Sequence, residues 1–145
     1  ASFQFGLNKV NYGFEFFIST VNNDIGIIRA SHLHAASDQL RAIKSNQPWY
    51  IEPFTYKINP PFQEVKHNIA KFKIFKRFQD FGKLTFQYHF QDNKRLEFDV
   101  RRGKYKNIPA TNLRLKTHTI MLDFDSDFLN MFDFNYGIKG EFQKS

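Results

Sequence analysis

Residues 72–100 read FKIFKRFQDFGKLTFQYHFQDNKRLEFDV, and their alternation decides the fold class. A three-residue loop at Asp80-Phe81-Gly82, with Gly82 in the left-handed conformation such loops need, sets Phe78 against Leu84, Ile74 against Tyr88 and Phe72 against Phe90. The other face then pairs Arg77 with Thr85, Phe75 with Gln87 and Lys73 with His89. Lys76, opposite Phe86, is the exception on the aromatic face. A similar loop at Asp92-Asn93-Lys94 pairs Phe90 with Leu96, Tyr88 with Phe98 and Phe86 with Val100. Both loops collect aromatics on one face and polar groups on the other. Phe72, Ile74, Phe78, Leu84, Tyr88, Phe90, Leu96 and Phe98 are therefore expected to be buried together.

The same period of two runs outward on both sides. Phe3, Phe5 and Leu7 alternate with polar residues, and the phase flips after Asn8-Lys9 to Val10, Tyr12, Phe14, Phe16 and Ile18. That flip predicts a hairpin at Asn8-Lys9. Val21-Asn22-Asn23-Asp24 has turn chemistry, with a short strand from Ile25 to Ala30 after it. Ser31–Ser45 breaks the pattern. Ser31 is an N-cap, Leu33, Ala36, Leu40 and Ile43 form one stripe, and Pro48 stops continuation, so a helix is predicted over 31–45. Trp49, Ile51, Tyr56 and Ile58 suggest a strand interrupted at Pro53, and Asn59-Pro60-Pro61 is a hard break. Phe62–His67 is read as a helical turn, followed by a strand from about Ile69. After a basic loop over Arg101–Asn112 come two long strands. Leu113 and Leu115 are out of phase with Leu122 and Phe124, which a bulge near Thr119-Ile120 would repair. The turn between those strands is placed at Asp125-Ser126-Asp127. Eight or nine strands with one helix imply a mainly β, α+β protein: an antiparallel meander curled into a barrel or sandwich. One domain over 1–145 is expected, since no repeat or linker interrupts the chain.

The chain has 145 residues, 41% hydrophobic and 24% charged, with 19 Phe and a formal net charge of +7. That is globular composition, too apolar for disorder. No apolar run is long enough for a membrane helix, and no charged-then-apolar leader is read at the start. With no Cys, a disulfide scaffold, a thiol nucleophile and a Cys-zinc site are excluded.

The charge is uneven. Residues 1–65 carry five basic and five acidic groups, residues 66–116 carry 14 and four, and residues 117–145 carry two and five. A basic middle points to a polyanionic partner, although Lys on a solvated sheet face serves solubility equally well. Cations interleaved with rings are what single-stranded nucleic acid uses, since bases stack while phosphates meet Lys and Arg. The candidate binding residues are Lys71, Lys73, Arg77, Arg101, Arg102, Lys104, Tyr105 and Lys106. Tyr105 is expected to be exposed, because its neighbours resist burial. Glu97 and Asp99 on the face of Lys73 and Arg77 weaken a continuous platform and favour the loop.

No constellation of catalytic groups emerges. His32-Leu33-His34 has the His-hydrophobic-His form of rolling-circle nucleases, but two histidines at i, i+2 on a helix point about 200° apart. Glu64-Val65-Lys66 has a nuclease-like form without its upstream Asp on a neighbouring strand. Asp123-x-Asp125-x-Asp127 has calcium-loop spacing, but Phe128 and Phe134 stand where Gly and Glu are required. No phosphate loop or nucleophile elbow occurs. No catalytic residue, metal or cofactor is therefore expected.

The leading expectation is a non-enzymatic module that binds nucleic acid or another polyanion. The alternative is a structural subunit of a larger assembly, such as a virion, tail or multi-protein particle, with protein partners or self-assembly. A barrel around an apolar ligand, or a small membrane β-barrel, ranks lower. The alternating strands allow a membrane barrel, while the helix, the low Gly content and an irregular order of connections speak against one.

Overall fold

A computed structural model describes residues 1–27, 36–47, 54, 56–79, 81–100, 105, 107–128 and 132–145. Six strands form one antiparallel sheet in chain order: β1 Ser2–Asn8, β2 Tyr12–Gly26, β3 Phe62–Phe78, β4 Gly82–Phe98, β5 Thr111–Phe128 and β6 Phe132–Lys144. Among the described residues a single short helix, α1 over Ala36–Lys44, lies between β2 and β3. The fold is mainly β as expected, but with six strands where eight or nine were predicted. The sheet is open, since β1 and β6 are its two edges. The chain divides into two compact units, residues 1–22, 66–94 and 113–145 in the first, and residues 23–65 and 95–112 in the second.

The strand count fell because the strands are longer than their turn-like residues suggest. β2 runs through Val21-Asn22-Asn23-Asp24, and β4 runs through Asp92-Asn93-Lys94. Neither segment turns, so the expected pairs of Phe90 with Leu96 and Tyr88 with Phe98 do not form a hairpin. Pairing with neighbouring strands overrides the local preference of Asn and Asp for turns, even at Val21–Asp24, which lies beyond the reach of β1. Phe62–His67, read as a helical turn, is the start of β3. β5 and β6 pair without interruption from Lys116↔Lys144 to Phe128↔Phe132. No bulge occurs at Thr119-Ile120, and Asp125-Ser126-Asp127 is strand. Leu113 and Leu115 simply point to the other face. The first hairpin forms, but its turn lies two residues beyond Asn8-Lys9. Residues 9–11 are the link, and the Lys9 amide donates to the Tyr12 carbonyl at 2.9 Å. Phe3↔Ile18, Phe5↔Phe16 and Leu7↔Phe14 stand where a turn at Asn8-Lys9 would pair Phe3 with Phe14, Phe5 with Tyr12 and Leu7 with Val10. The break before β3 also holds at Pro60-Pro61. The helix begins, among described residues, at Ala36. Its proposed N-cap Ser31, most of the Trp49–Ile58 segment and the pair His32 and His34 lie outside the described residues.

Strand direction alternates along a meander, so the lengths of the connections sort by end. Residues 9–11, 79–81 and 129–131 are short links at one end of the sheet. Residues 27–61 and 99–110 are long links at the other.

The expected core is absent. Among the described residues no hydrophobic side chain of the Val, Leu, Ile, Phe or Met type is buried. Ile74, Phe78 and Leu84 were expected inside and are 45%, 41% and 36% exposed. The predicted sidedness is right, and what covers the apolar side was predicted wrongly. A sheet in barrel or sandwich form would bury one face on itself, and this sheet has no second layer among the described residues.

Candidate functional site

The first unit has two chemically opposite faces, which strand alternation assigns residue by residue. Cross-strand contacts fix the assignment. On one side Thr20 donates to Asn68 at 2.7 Å, the Tyr88 hydroxyl and His118 Nδ1 lie 2.8 Å apart, and Phe90 lies 4.9 Å from the His118 ring. On the other side Lys71 lies 5.9 Å over Phe17, and Gln87 donates to Asp123 at 3.4 Å.

The first face is an aromatic band. It carries Phe3, Phe5 and Leu7 from β1, then Phe14, Phe16 and Ile18 from β2. Phe72, Ile74 and Phe78 follow from β3, and Leu84, Phe86, Tyr88 and Phe90 from β4. Ile120, Leu122 and Phe124 come from β5, and Phe134, Tyr136, Ile138 and Phe142 from β6. Several are strongly exposed, Ile138 by 75% and Phe142 by 63%. The band spans nine residues per strand in Ala70–Phe78, Gly82–Phe90 and Phe134–Phe142. Lys76 is its one charged residue, near the short-link end, with Nζ 5.3 Å over the Phe78 ring. At the other border the same face turns polar across five strands at once, with Thr20, Lys66, Asn68, Asp92, Lys94, Arg114, Lys116 and Lys144.

The second face is polar and holds the sheet part of the predicted site. Lys71, Lys73 and Arg77 line up on β3. Phe75 between them packs over Gly13, where a side chain would collide with its ring. Arg77 and Lys83 flank that ring at 6.0 and 5.5 Å. Carboxylates share this face. Glu15 accepts from Gln4 at 2.9 Å, Asp125 accepts from Asn135, and Lys139 pairs with Glu141 at 3.4 Å. Asp123 and Asp125 are thus taken up by amide groups. Among the described residues no cluster of three or more His, Asp or Glu could hold a metal. Glu64 and Lys66 stand on a strand, on the face that carries the aromatics.

His89 shares this face with Lys71 and Lys139.

Tyr105 lies in the second unit and is 52% exposed, as its flanking charges require. Its carbonyl accepts from the Ile108 amide at 3.2 Å. Arg101, Arg102, Lys104 and Lys106 lie outside the described residues. No described helix is long and apolar enough to cross a membrane, which says nothing of strands. The feature missed from sequence is the uncovered aromatic band. Its signal was present, because the alternation persists over long strands. The chain matches no family model, no curated protein and no solved structure.

Proposed function

We propose that the six strands form part of the wall of a transmembrane β-barrel. The aromatic face meets lipid, and the face with Lys71, Lys73 and Arg77 meets a water-filled lumen. The uncovered apolar face carries this reading, since a sheet side this apolar is stable in contact with hydrocarbon and costly in water. Its nine-residue extent is what a tilted strand needs to cross a bilayer. Lys76 near the border can extend its ammonium to the interface along its own stem. Short links at one end and long links at the other are the regular pattern of such walls. The order of connections, read from sequence as irregular, therefore speaks for this reading. Lipid tolerates no open sheet edge, so in the membrane β1 and β6 pair with the edge strands of further copies of the chain. The polar face then does non-enzymatic work. Its cations favour anionic solutes, which keeps the polyanion reading for the lumen and for Tyr105 with its basic neighbours.

The test is refolding from urea into phosphatidylcholine vesicles and, in parallel, into plain buffer. Trypsin is expected to cut the vesicle-bound chain at Arg41 and Lys57 in the long link while sparing Lys71, Lys73, Lys76, Arg77 and Lys83. A folded, monodisperse particle in buffer with no vesicle association would overturn the proposal and favour the assembly subunit, whose neighbours would cover the band.

A further inference from the structure

On the aromatic face, directly above the band on the long-link side, lies a cluster of four cations around one carboxylate. Arg114 grips Asp92 with two bonds, Nε to Oδ1 at 2.9 Å and Nη2 to Oδ2 at 2.7 Å. That grip, with the fields of Lys116 and Lys66, holds Asp92 below the usual carboxylate range. Arg114 and Asp92 thereby neutralise each other. Lys66, Lys94 and Lys116 form no ion pair among the described residues, so three positive charges stay unbalanced. A recess of about 230 Å³ opens between Lys66, Asn68, Asp92, Lys94 and Arg114. Below it lies an apolar notch of about 390 Å³, lined by Phe3, Ile18, Thr20, Asn68, Ala70 and Phe90. Ala70 leaves the notch open, because its methyl stands where neighbouring positions of the band carry rings. Asn68, held by Thr20 at 2.7 Å, lines both recesses and joins them.

We propose that this paired recess binds one anionic phospholipid, the phosphate against Lys66, Lys94 and Lys116 and an acyl chain in the notch beside Ala70 and Phe90. The inference rests on the membrane reading above. Strand alternation gave each of these lysines a place on the lipid side and not on the polar side. They begin where the nine-residue band ends, which is headgroup height in a bilayer. Ammonium groups suit a phosphate whose orientation varies, since each acts as a point charge. The fixed Arg114–Asp92 pair walls the recess without consuming the lysines.

The experiment uses the full chain refolded into vesicles of phosphatidylcholine alone, or of phosphatidylcholine with one quarter phosphatidic acid. Lipid retained through detergent extraction is then counted by class. The wild type should retain phosphatidic acid over phosphatidylcholine by about tenfold or more relative to the bulk mixture. Lys66→Gln/Lys94→Gln/Lys116→Gln should lose that preference and still insert. Lys71→Gln/Lys73→Gln/Lys83→Gln removes as many charges from the other face and should keep it. Ala70→Phe should fill the notch and reduce retention with the lysines intact. Inorganic phosphate at about 10 mM should not displace the lipid, because it has no chain for the notch; full displacement would mean a free-anion site and would overturn the proposal. Insertion without any headgroup preference would overturn it while leaving the membrane reading in place. Failure to insert into either vesicle would remove the membrane reading, and this inference with it.

Discussion

Ile138→Lys is expected to cost about 2–4 kcal/mol of stability in a bilayer, and Gln87→Lys within about 1 kcal/mol. The two positions stand at similar heights, the seventh residue of β6 and the sixth of β4. They differ in the face they use. Ile138 lies in the aromatic band opposite Leu122 and is 75% exposed. An ammonium there would have to sit in hydrocarbon or bend the wall to reach water. Gln87 lies on the polar face, with its amide donating to Asp123 at 3.4 Å. A lysine at that place keeps a carboxylate partner and water. Reversible urea unfolding of vesicle-refolded protein, followed by far-UV circular dichroism, measures both. Equal costs would mean that both faces meet the same medium, and the lipid-facing assignment would then be wrong.

The asymmetry follows from where the apolar mass of this chain is spent. In an ordinary domain an amphipathic sheet hides its apolar side against helices or a second sheet. In the second unit α1 likewise leaves its own Leu40 and Ile43 55% and 80% exposed. The buried places of the described chain go instead to Gly13, Pro61, Thr85 and Thr119. Thr85 and Thr119 lie on the polar face.

Sidedness was legible in the sequence because alternation is a local property. The hairpin of β1 and β2 could be read from the phase flip near Asn8-Lys9, but its register, with Phe3↔Ile18 and Leu7↔Phe14, could not. Strand ends were not legible. Asp92-Asn93-Lys94 and Val21-Asn22-Asn23-Asp24 have the composition of turns, and only the neighbouring strands keep them extended. Leu113 and Leu115 suggested a bulge because one apolar face was assumed for the whole of β5. Without that assumption their exposure on the polar side requires no irregularity. Charge was legible as composition and misleading as a surface. Of the 14 basic residues of 66–116, those on described strands divide between two faces, with Lys71, Lys73 and Arg77 among those on one and Lys66, Lys94, Arg114 and Lys116 among those on the other. A linear count cannot separate residues whose parity differs.

Gly82→Ala tests the turn that organises the middle of the sheet, and its expected cost is about 1–3 kcal/mol from the backbone alone. Gly82 has φ +128°, a conformation that side-chain-bearing residues rarely adopt. Space is also lacking. A methyl at this position would run into the carbonyl oxygen of Asp125 and come within 2.9 Å of Ser126 Cα. Those atoms belong to the end of β5, which the turn touches from the side. The Ser126 hydroxyl donates to the Phe81 carbonyl at 3.1 Å, and the Phe81 and Phe124 rings lie 5.8 Å apart. Relief of the collision would have to move the β3–β4 turn off β5 and loosen both contacts, so the total should exceed the backbone share. Gly140→Ala is the control. Its methyl would meet only Phe142 Cε2 at 3.7 Å, an ordinary contact, and no unusual φ is present. That change should be neutral or stabilising by about 0.4–1 kcal/mol, because it restricts the unfolded chain. Matching urea midpoints for the two variants would contradict the role assigned to Gly82. A large loss at 82 with none at 140 would place the constraint in the turn and its seat on β5.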